Sequence, residues 1–300
     1  MVYLLARSVL VIFRCLPLAW AMKLGVVAGR FWFAVDTRHR KVALNNLAAV
    51  FPDKPQFEIN RIARQCFEEQ GRSLMVSCRL LGLADKSRLA DLVSGDLTPL
   101  KRAYKKNRGL LMVTAHFGAW ELLPLYYSIF GTARLNIIVR PLDNKFINKL
   151  LEKYRTSNGR IGVISKKKAA RAVMAKLKNK ESVGIMVDQN VSADKGVFVD
   201  FLGIPACTTT APAIFAIRTG VPVVPIFIYR DGPTHYRVSC GEEIAMQKSD
   251  NLNNDVRLNT QRITDALTEM VYRYPQQWFW VHRRWKTRPS EENGDHGGEL

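Results

Sequence analysis

A histidine and a glutamate stand five residues apart in Ala115-His116-Phe117-Gly118-Ala119-Trp120-Glu121, directly behind the apolar run Leu110–Thr114. Imidazole is the side chain best suited to exchange a proton near neutral pH. A carboxylate bonded to one ring nitrogen fixes the tautomer and raises the basicity of the other. On a regular helix the two residues would lie about 140° apart. They can meet only if His116 sits in a strand-to-helix turn and Glu121 in the first helical turn. Such a dyad needs no enzyme nucleophile, because it can take the proton from a substrate hydroxyl as that oxygen attacks an activated carbonyl. Gly118, at the start of the helix, would add main-chain N–H groups for the developing oxyanion. Taken alone, H-x-x-x-x-E is a common accident, and a lone histidine beside an apolar strand is more often structural.

Two further apolar runs end in polar chemistry. Arg140-Pro141 follows Leu135–Val139, and Asp188-Gln189 follows residues 182–187. Ligands of open α/β sheets bind beyond the carboxyl ends of the strands, so a base, a cation and two acids would share one rim. The elements that must hold them there are legible as a pattern. Residues 110–114, 135–139, 161–164, 182–187 and 221–228 read as buried strands, and 119–130, 144–157, 167–179 and 209–219 as helices. That alternation predicts an α/β fold with a mainly parallel central sheet flanked by helices. Residues 235–240 are expected to add an edge strand and 255–273 a closing helix. Residues 36–95 read as helical, with a long amphipathic run from about 56 to 81, and the polar, acidic tail from Ser290 reads as disordered.

Composition narrows the class. Apolar residues make up 47% and charged residues 24% of 300, which excludes a disordered chain, a collagen-like repeat and a polytopic membrane protein. Forty-five Lys and Arg against 26 Asp and Glu give a net charge of +19. The partner is therefore anionic: nucleic acid, a phospholipid leaflet or an acidic carrier protein. No helix-turn-helix, RNP-like or zinc-finger pattern speaks for nucleic acid. Residues 1–35 are strongly apolar yet carry Arg7, Arg14, Lys23 and Arg30, too frequent for a simple span. They predict two amphipathic helices flanking Pro17, lying on a leaflet; the alternative is a helical pair packed on the domain. The expected division is a membrane-associating segment 1–35, a catalytic domain 36–286 and a tail 287–300. Clusters at Lys101-Arg102, Lys105-Lys106-Arg108, Lys166-Lys167-Lys168-Arg171 and His282-Arg283-Arg284-Lys286 could meet anionic partners, although for Lys166 to Lys168 a solvated helix face is the better reading. Trp278, Trp280 and Trp285 beside the last cluster suggest an interfacial belt, with core packing as the alternative. The five cysteines are scattered and never paired as C-x-x-C, which suits a reducing compartment and gives them no catalytic or zinc role.

Several stretches together resemble a known family. His116 to Glu121 resembles the H-x-x-x-x-D/E motif of the glycerolipid acyltransferase superfamily. RHRKVALNNLAAVFP, DQNVSADKGVFVDFLGIPACTTTAPA, TGVPVVPIF and YPQQWFWVHRRWKTRP, in that order, resemble the bacterial lipid A biosynthesis lauroyl/myristoyl acyltransferases. The resemblance spans residues 36–289. It implies transfer of a fatty acyl chain from acyl carrier protein, or less often coenzyme A, to a hydroxyl of an anionic membrane lipid such as a lipid A precursor. It further implies the cytoplasmic face of the bacterial inner membrane, with no cofactor, no metal and no nucleic acid. On this resemblance His116 is the general base and Glu121 its partner. Arg140 would hold a phosphate or polarise the thioester oxygen, Asp188 and Gln189 would line the site, GVFVDFLG at 196–203 would shape the pocket and Pro225 would lie nearby. Read without the family, Arg140 could be a surface ion pair, Asp188 a turn cap and GVFVDFLG a hairpin. The acceptor could also be a lysophospholipid or another glycolipid. Two other readings remain: metal-dependent phosphoester hydrolysis by His116, Glu121, Asp188 and His235, and a non-catalytic basic scaffold.

Overall fold

The computed structural model describes residues 15–80, 86–141, 144–156, 159–166 and 169–289. Along the chain run α1 (Leu18–Val35), α2 (Thr37–Val50), α3 (Gln56–Leu80), α4 (Lys86–Ala90), β1 (Val93–Gly95), α5 (Thr98–Tyr104), β2 (Leu110–Thr114), α6 (Leu122–Phe130), β3 (Leu135–Val139), α7 (Lys145–Thr156), β4 (Ile161–Ser165), α8 (Ala169–Lys178) and β5 (Ser182–Met186). They are followed by β6 (Gly196–Phe201), β7 (Ile204–Thr209), α9 (Ala211–Thr219), β8 (Val223–Arg230), β9 (Tyr236–Cys240) and α10 (Leu252–Arg273).

Strand alternation builds the core. Leu111, Val113, Val183 and Ile185 face one helical layer, where α2, α3, α8, α9 and α10 pack; Leu110, Met112, Val224 and Ile226 face the other, with α6. A strand buried on both sides is what a parallel sheet requires. The seven-stranded sheet has the order β1-β9-β8-β2-β5-β3-β4. β8, β2, β5, β3 and β4 run parallel, while β9 is antiparallel to β8 and carries β1 alongside it. The α/β class with a mainly parallel sheet is therefore as expected. β9 is not the edge, however: β1 covers it. Three residues are too few to show a periodicity, and β1 lies inside a stretch that reads as helical.

The GVFVDFLG segment is a separate antiparallel hairpin, β6–β7. Leu202 and Gly203 have φ of 58° and 81°, the left-handed pair of a tight two-residue hairpin turn. The Asp200 carboxylate accepts the Gly203 N–H at 3.1 Å.

The N-terminal helix packs on the domain along one face, as the alternative reading expects, and leaves an apolar face exposed. Ala21, Gly25 and Gly29 form a small-residue stripe buried against α3, and a Cβ on Gly71 would lie only 1.9 Å from the Gly25 carbonyl oxygen. Only glycines allow backbones so close. The opposite face leaves Trp20 and Phe31 62% and 68% exposed, with Val27 and Val35 beside them. Arg30, expected at the lipid headgroups, bonds Glu68 of α3 at 2.7 Å. The first amphipathic helix, with Arg7 and Arg14, and the tail from Ser290 lie outside the described residues. Thr287 belongs to the folded body, donating from Oγ1 to the Val191 carbonyl at 2.9 Å.

Trp278, Trp280 and Trp285 do not form an interfacial belt; all three are buried. They pack on one another and on Phe201. Arg284 is buried with them, stacked over Phe201 at 5.2 Å and donating to the Cys207 carbonyl at 2.8 Å. It cannot serve a surface.

Candidate active site

β2 and β5 are neighbours, with Thr114 opposite Met186. Two residues further along each strand, that register sets His116 beside Asp188. The His116 Nδ1 lies 2.9 Å from Asp188 Oδ1, and the His116 main-chain N–H donates to Oδ2 at 2.9 Å. The Trp278 indole N–H also donates to Oδ2, at 2.9 Å. Asp188 is only 3% exposed. Burial alone would raise its pKa, but the His116 charge and these donors more than reverse that and hold it at about 2. Burial opposes protonation of His116; the Asp188 charge and hydrogen bond outweigh it, Glu121 adds to them, and the imidazole pKa rises above its ordinary value. An ionised carboxylate only accepts. The ring proton therefore sits on Nδ1, and Nε2 presents its lone pair outward, 3.5 Å from the Gln189 amide nitrogen.

The imidazole's carboxylate is thus Asp188 and not Glu121. Glu121 is held by Arg155 of α7, whose Nη2 donates to Oε1 at 2.7 Å and to Oε2 at 2.9 Å and whose Nε donates to Oε2 at 3.2 Å. The fork geometry satisfies the carboxylate fully. Glu121 reaches His116 through its charge alone.

The loop carrying His116 is zipped to the C-terminal segment. Phe117 bridges Trp278, the Phe279 N–H donates to the His116 carbonyl at 3.1 Å, and the Gly118 N–H donates to the Gln277 carbonyl at 2.9 Å. Gly118 has φ of 55°, and a Cβ there would lie 2.2 Å from the Ile228 carbonyl oxygen. Glycine is needed for the turn and for this close approach. Its N–H is already committed and α6 begins only at Leu122, so Gly118 is not the expected oxyanion donor.

Between the sheet and α6 opens an apolar pocket, and Trp120, whose ring packs on His116 with centroids 5.3 Å apart, is part of its lining. Met112, Thr114, Gly184 and Met186 line it from the sheet, and Leu123 and Tyr127 from α6; Trp120 and the Glu121–Arg155 pair form its polar end. Arg140 is exposed, one residue past the lining residue Val139, and makes no ion pair among the described residues. Pro225 is buried in β8 opposite Val113, its ring against Gly241, and lines neither this cavity nor any other hollow described here. His235 stands at the far edge of the sheet, 2.8 Å from the Ser94 hydroxyl. Among the described residues no three His, Cys, Asp or Glu side chains gather as metal ligands would. The Cys66 thiol is buried and pushed up to about 12, which leaves no thiolate for chemistry.

Arg155 and Trp278 escape sequence reading. Arg155 sits in the last turn of a charge-rich helix, and no spacing rule links residue 278 to residue 188; the bridge between Phe117 and Trp278 brings them together.

The profile of bacterial lipid A biosynthesis acyltransferases matches residues 1–287. The chain is 25% identical over 280 residues to the lipid A biosynthesis lauroyltransferase of Escherichia coli (strain K12), covering 91% of this chain and 88% of that one. It is 24% identical to the lipid A biosynthesis palmitoleoyltransferase of the same organism, over 85% of this chain and 81% of that one. It is also 24% identical to the phosphatidylinositol mannoside acyltransferase of Mycobacterium tuberculosis (strain ATCC 25618 / H37Rv), over 82% and 77%. With a family match over nearly its whole length, the chain belongs to the bacterial lipid A biosynthesis acyltransferases.

Proposed function

We propose that this acyltransferase moves a fatty acyl chain from an acyl thioester, carried by acyl carrier protein, to a hydroxyl of a lipid A precursor at the cytoplasmic face of the inner membrane. The observation that carries the reading is the position of His116. Its Nε2 faces outward while its Nδ1 is fixed by a buried, ionised Asp188, and its ring packs on Trp120, which lines an apolar pocket suited to an alkyl chain. The acceptor hydroxyl gives its proton to Nε2 as its oxygen bonds the thioester carbon. The tetrahedral intermediate then expels the thiolate as the C–S bond breaks, and the imidazolium returns the proton to sulfur. Asp188 stabilises the imidazolium between the two steps. Arg155 uses Nε and Nη2 to hold Glu121, leaving its Nη1 edge for the oxyanion. Glu121 sets the direction of that guanidinium. Arg140 lies on the same rim and would meet a phosphate of donor or acceptor. The exposed apolar face of α1 would rest on the leaflet.

Mass spectrometry of anionic lipids after incubation with lauroyl- and myristoyl-carrier protein, with lauroyl-coenzyme A and with candidate acceptors tests this directly. One added acyl mass on a lipid A precursor, absent with His116→Ala, is the expected result. No transfer to any acceptor by folded protein with intact thioester would overturn the reading. The mannoside acyltransferases lie at nearly the same identity as the lipid A enzymes. That favours a phosphoglycolipid as the second acceptor class, read by the same assay.

A further inference from the structure

A second hollow lies on the opposite face of the sheet from the acyl cavity. It is a groove between α8 and α9. Its floor is apolar, formed by Met174, Ile214 and Phe215, and it is bordered by three cations, Arg171, Lys195 and Arg218. Arg171 and Arg218 have no acidic partner among the described residues, and Lys195 lies 3.8 Å from Asp194 with both side chains exposed. No carboxylate lines the groove.

Topology ties this groove to the reaction centre. α8 follows β4 and α9 precedes β8, so both helices begin at the rim where the parallel strands end. Lys195 stands in the turn that leads from Asp188 into β6, and Thr209, which also lines the groove, pairs with Gly196 at the open end of the hairpin. The cavity and the groove thus lie on opposite faces of the sheet, and Lys195 and Thr209 bring one edge of the groove to the segment that leads out of Asp188.

We propose that the groove binds the phosphate-bearing headgroup of an anionic lipid acceptor, with part of its apolar body against Met174, Ile214 and Phe215. The donor chain would enter from the other face, so the two substrates meet at His116; this assignment of roles rests on the acyl-transfer reading. The combination of linings selects the occupant. Unpaired guanidinium groups recognise phosphate oxygens, and the apolar floor would stay bare under inorganic phosphate but is covered by an amphiphile. A carrier protein needs a broad face of about 800 Å², whereas this site is a concave slot between two helices.

Binding is measured first on the full chain in neutral detergent with no acyl donor, by calorimetric titration with dioctanoyl phosphatidic acid and with dioctanoylglycerol. The wild type is expected to prefer the phosphorylated lipid by about tenfold, and R171E/R218E to lose that preference. R171Q/R218Q, which removes charge without adding any, must shift it in the same direction. A preference that persists in both variants, or is absent from the wild type, overturns the site. Turnover separates the sources of phosphate. The variants should lose discrimination between intact and phosphatase-treated acceptor; loss of discrimination between acyl carrier protein and acyl-coenzyme A instead would place the donor here and overturn the assignment. Binding that behaves as expected in an enzyme that acylates nothing would keep the site and reject the acyl-transfer reading.

Discussion

The two faces of the central sheet are built from alternate residues of the same strands, yet a hollow is left against the strands toward α6, while toward α3 and α10 the space is filled. Toward α6, Met112, Gly184 and Met186 border an apolar cavity. Toward α3 and α10, Trp278, Trp280 and Trp285 pack against Phe201 and enclose Arg284. Protein interiors are normally close-packed, and an unfilled apolar volume is destabilising. The hollow is therefore kept for an occupant. Gly184 is part of how it is kept, since a Cβ there would meet only Leu135 and Ile137, at ordinary distances of 3.6 and 3.8 Å; nothing in the fold demands glycine. On the filled face the aromatic volume supports Asp188 through the Trp278 indole. One face carries the hollow and the other supports the acid that is bonded to His116.

The division can be broken from either side. His116→Ala removes the proton acceptor shared by both faces, and single-turnover transfer should fall by about 10³-fold. Asp188→Asn attacks the filled face. It should cost about 10²-fold or more, because an amide can fix the wrong imidazole tautomer. The pH profile gives the sign. The working base is the neutral imidazole, and Asp188 raises its pKa, so the acidic limb of kcat/KM lies above the ordinary histidine value of about 6.5. Removing the Asp188 charge should move that limb to lower pH.

The hollow face is tested by filling it. Gly184→Ile should shift donor preference toward shorter acyl chains by about tenfold, in line with a methylene or two of lost pocket, as read by competing acyl thioesters of different length. Gly71→Ala forces a Cβ against the Gly25 carbonyl and should destabilise the protein by about 1–3 kcal/mol through overpacking, measured by chemical denaturation. Glu121→Gln is the smallest change on the pH axis. It loses a charge that acts on His116 only through space, so it should move the acidic limb less than Asp188→Asn while still lowering kcat by loosening Arg155. An equal or larger shift from Glu121→Gln would mean that Glu121, not Asp188, governs the imidazole.

Much of the fold was legible because buried parallel strands are short apolar runs bounded by helices, and the five parallel strands fall where the runs do. The chemistry was less so. His116, Glu121 and Asp188 could be picked out as chemically able residues behind strands, but which carboxylate meets the imidazole depends on β2 and β5 being neighbours. Adjacency between strands separated by about seventy residues is a property of sheet order, which single-sequence periodicity does not encode. The tryptophans misled for a related reason. Beside cations in the sequence they resemble a membrane girdle, yet the indole of Trp278 finds its hydrogen-bond partner inside. The three-residue β1 was invisible because it has no repeat to detect.

The zipper between residues 116–118 and 277–279 has a consequence for how the enzyme comes into being. The ribosome delivers all the parallel strands, the acyl cavity and α1 long before Gln277 emerges, and domains begin to fold during synthesis at about 5–20 residues per second. Until the last segment docks, the His116 loop lacks two of its main-chain partners and Asp188 lacks the Trp278 indole. A nascent chain therefore has α1 in place before the His116 loop is complete, and a message truncated shortly before codon 277 would yield a protein that keeps the exposed apolar face of α1 but lacks these partners of His116 and Asp188. Competence is conferred late in translation, when residues 277–279 dock on the His116 loop.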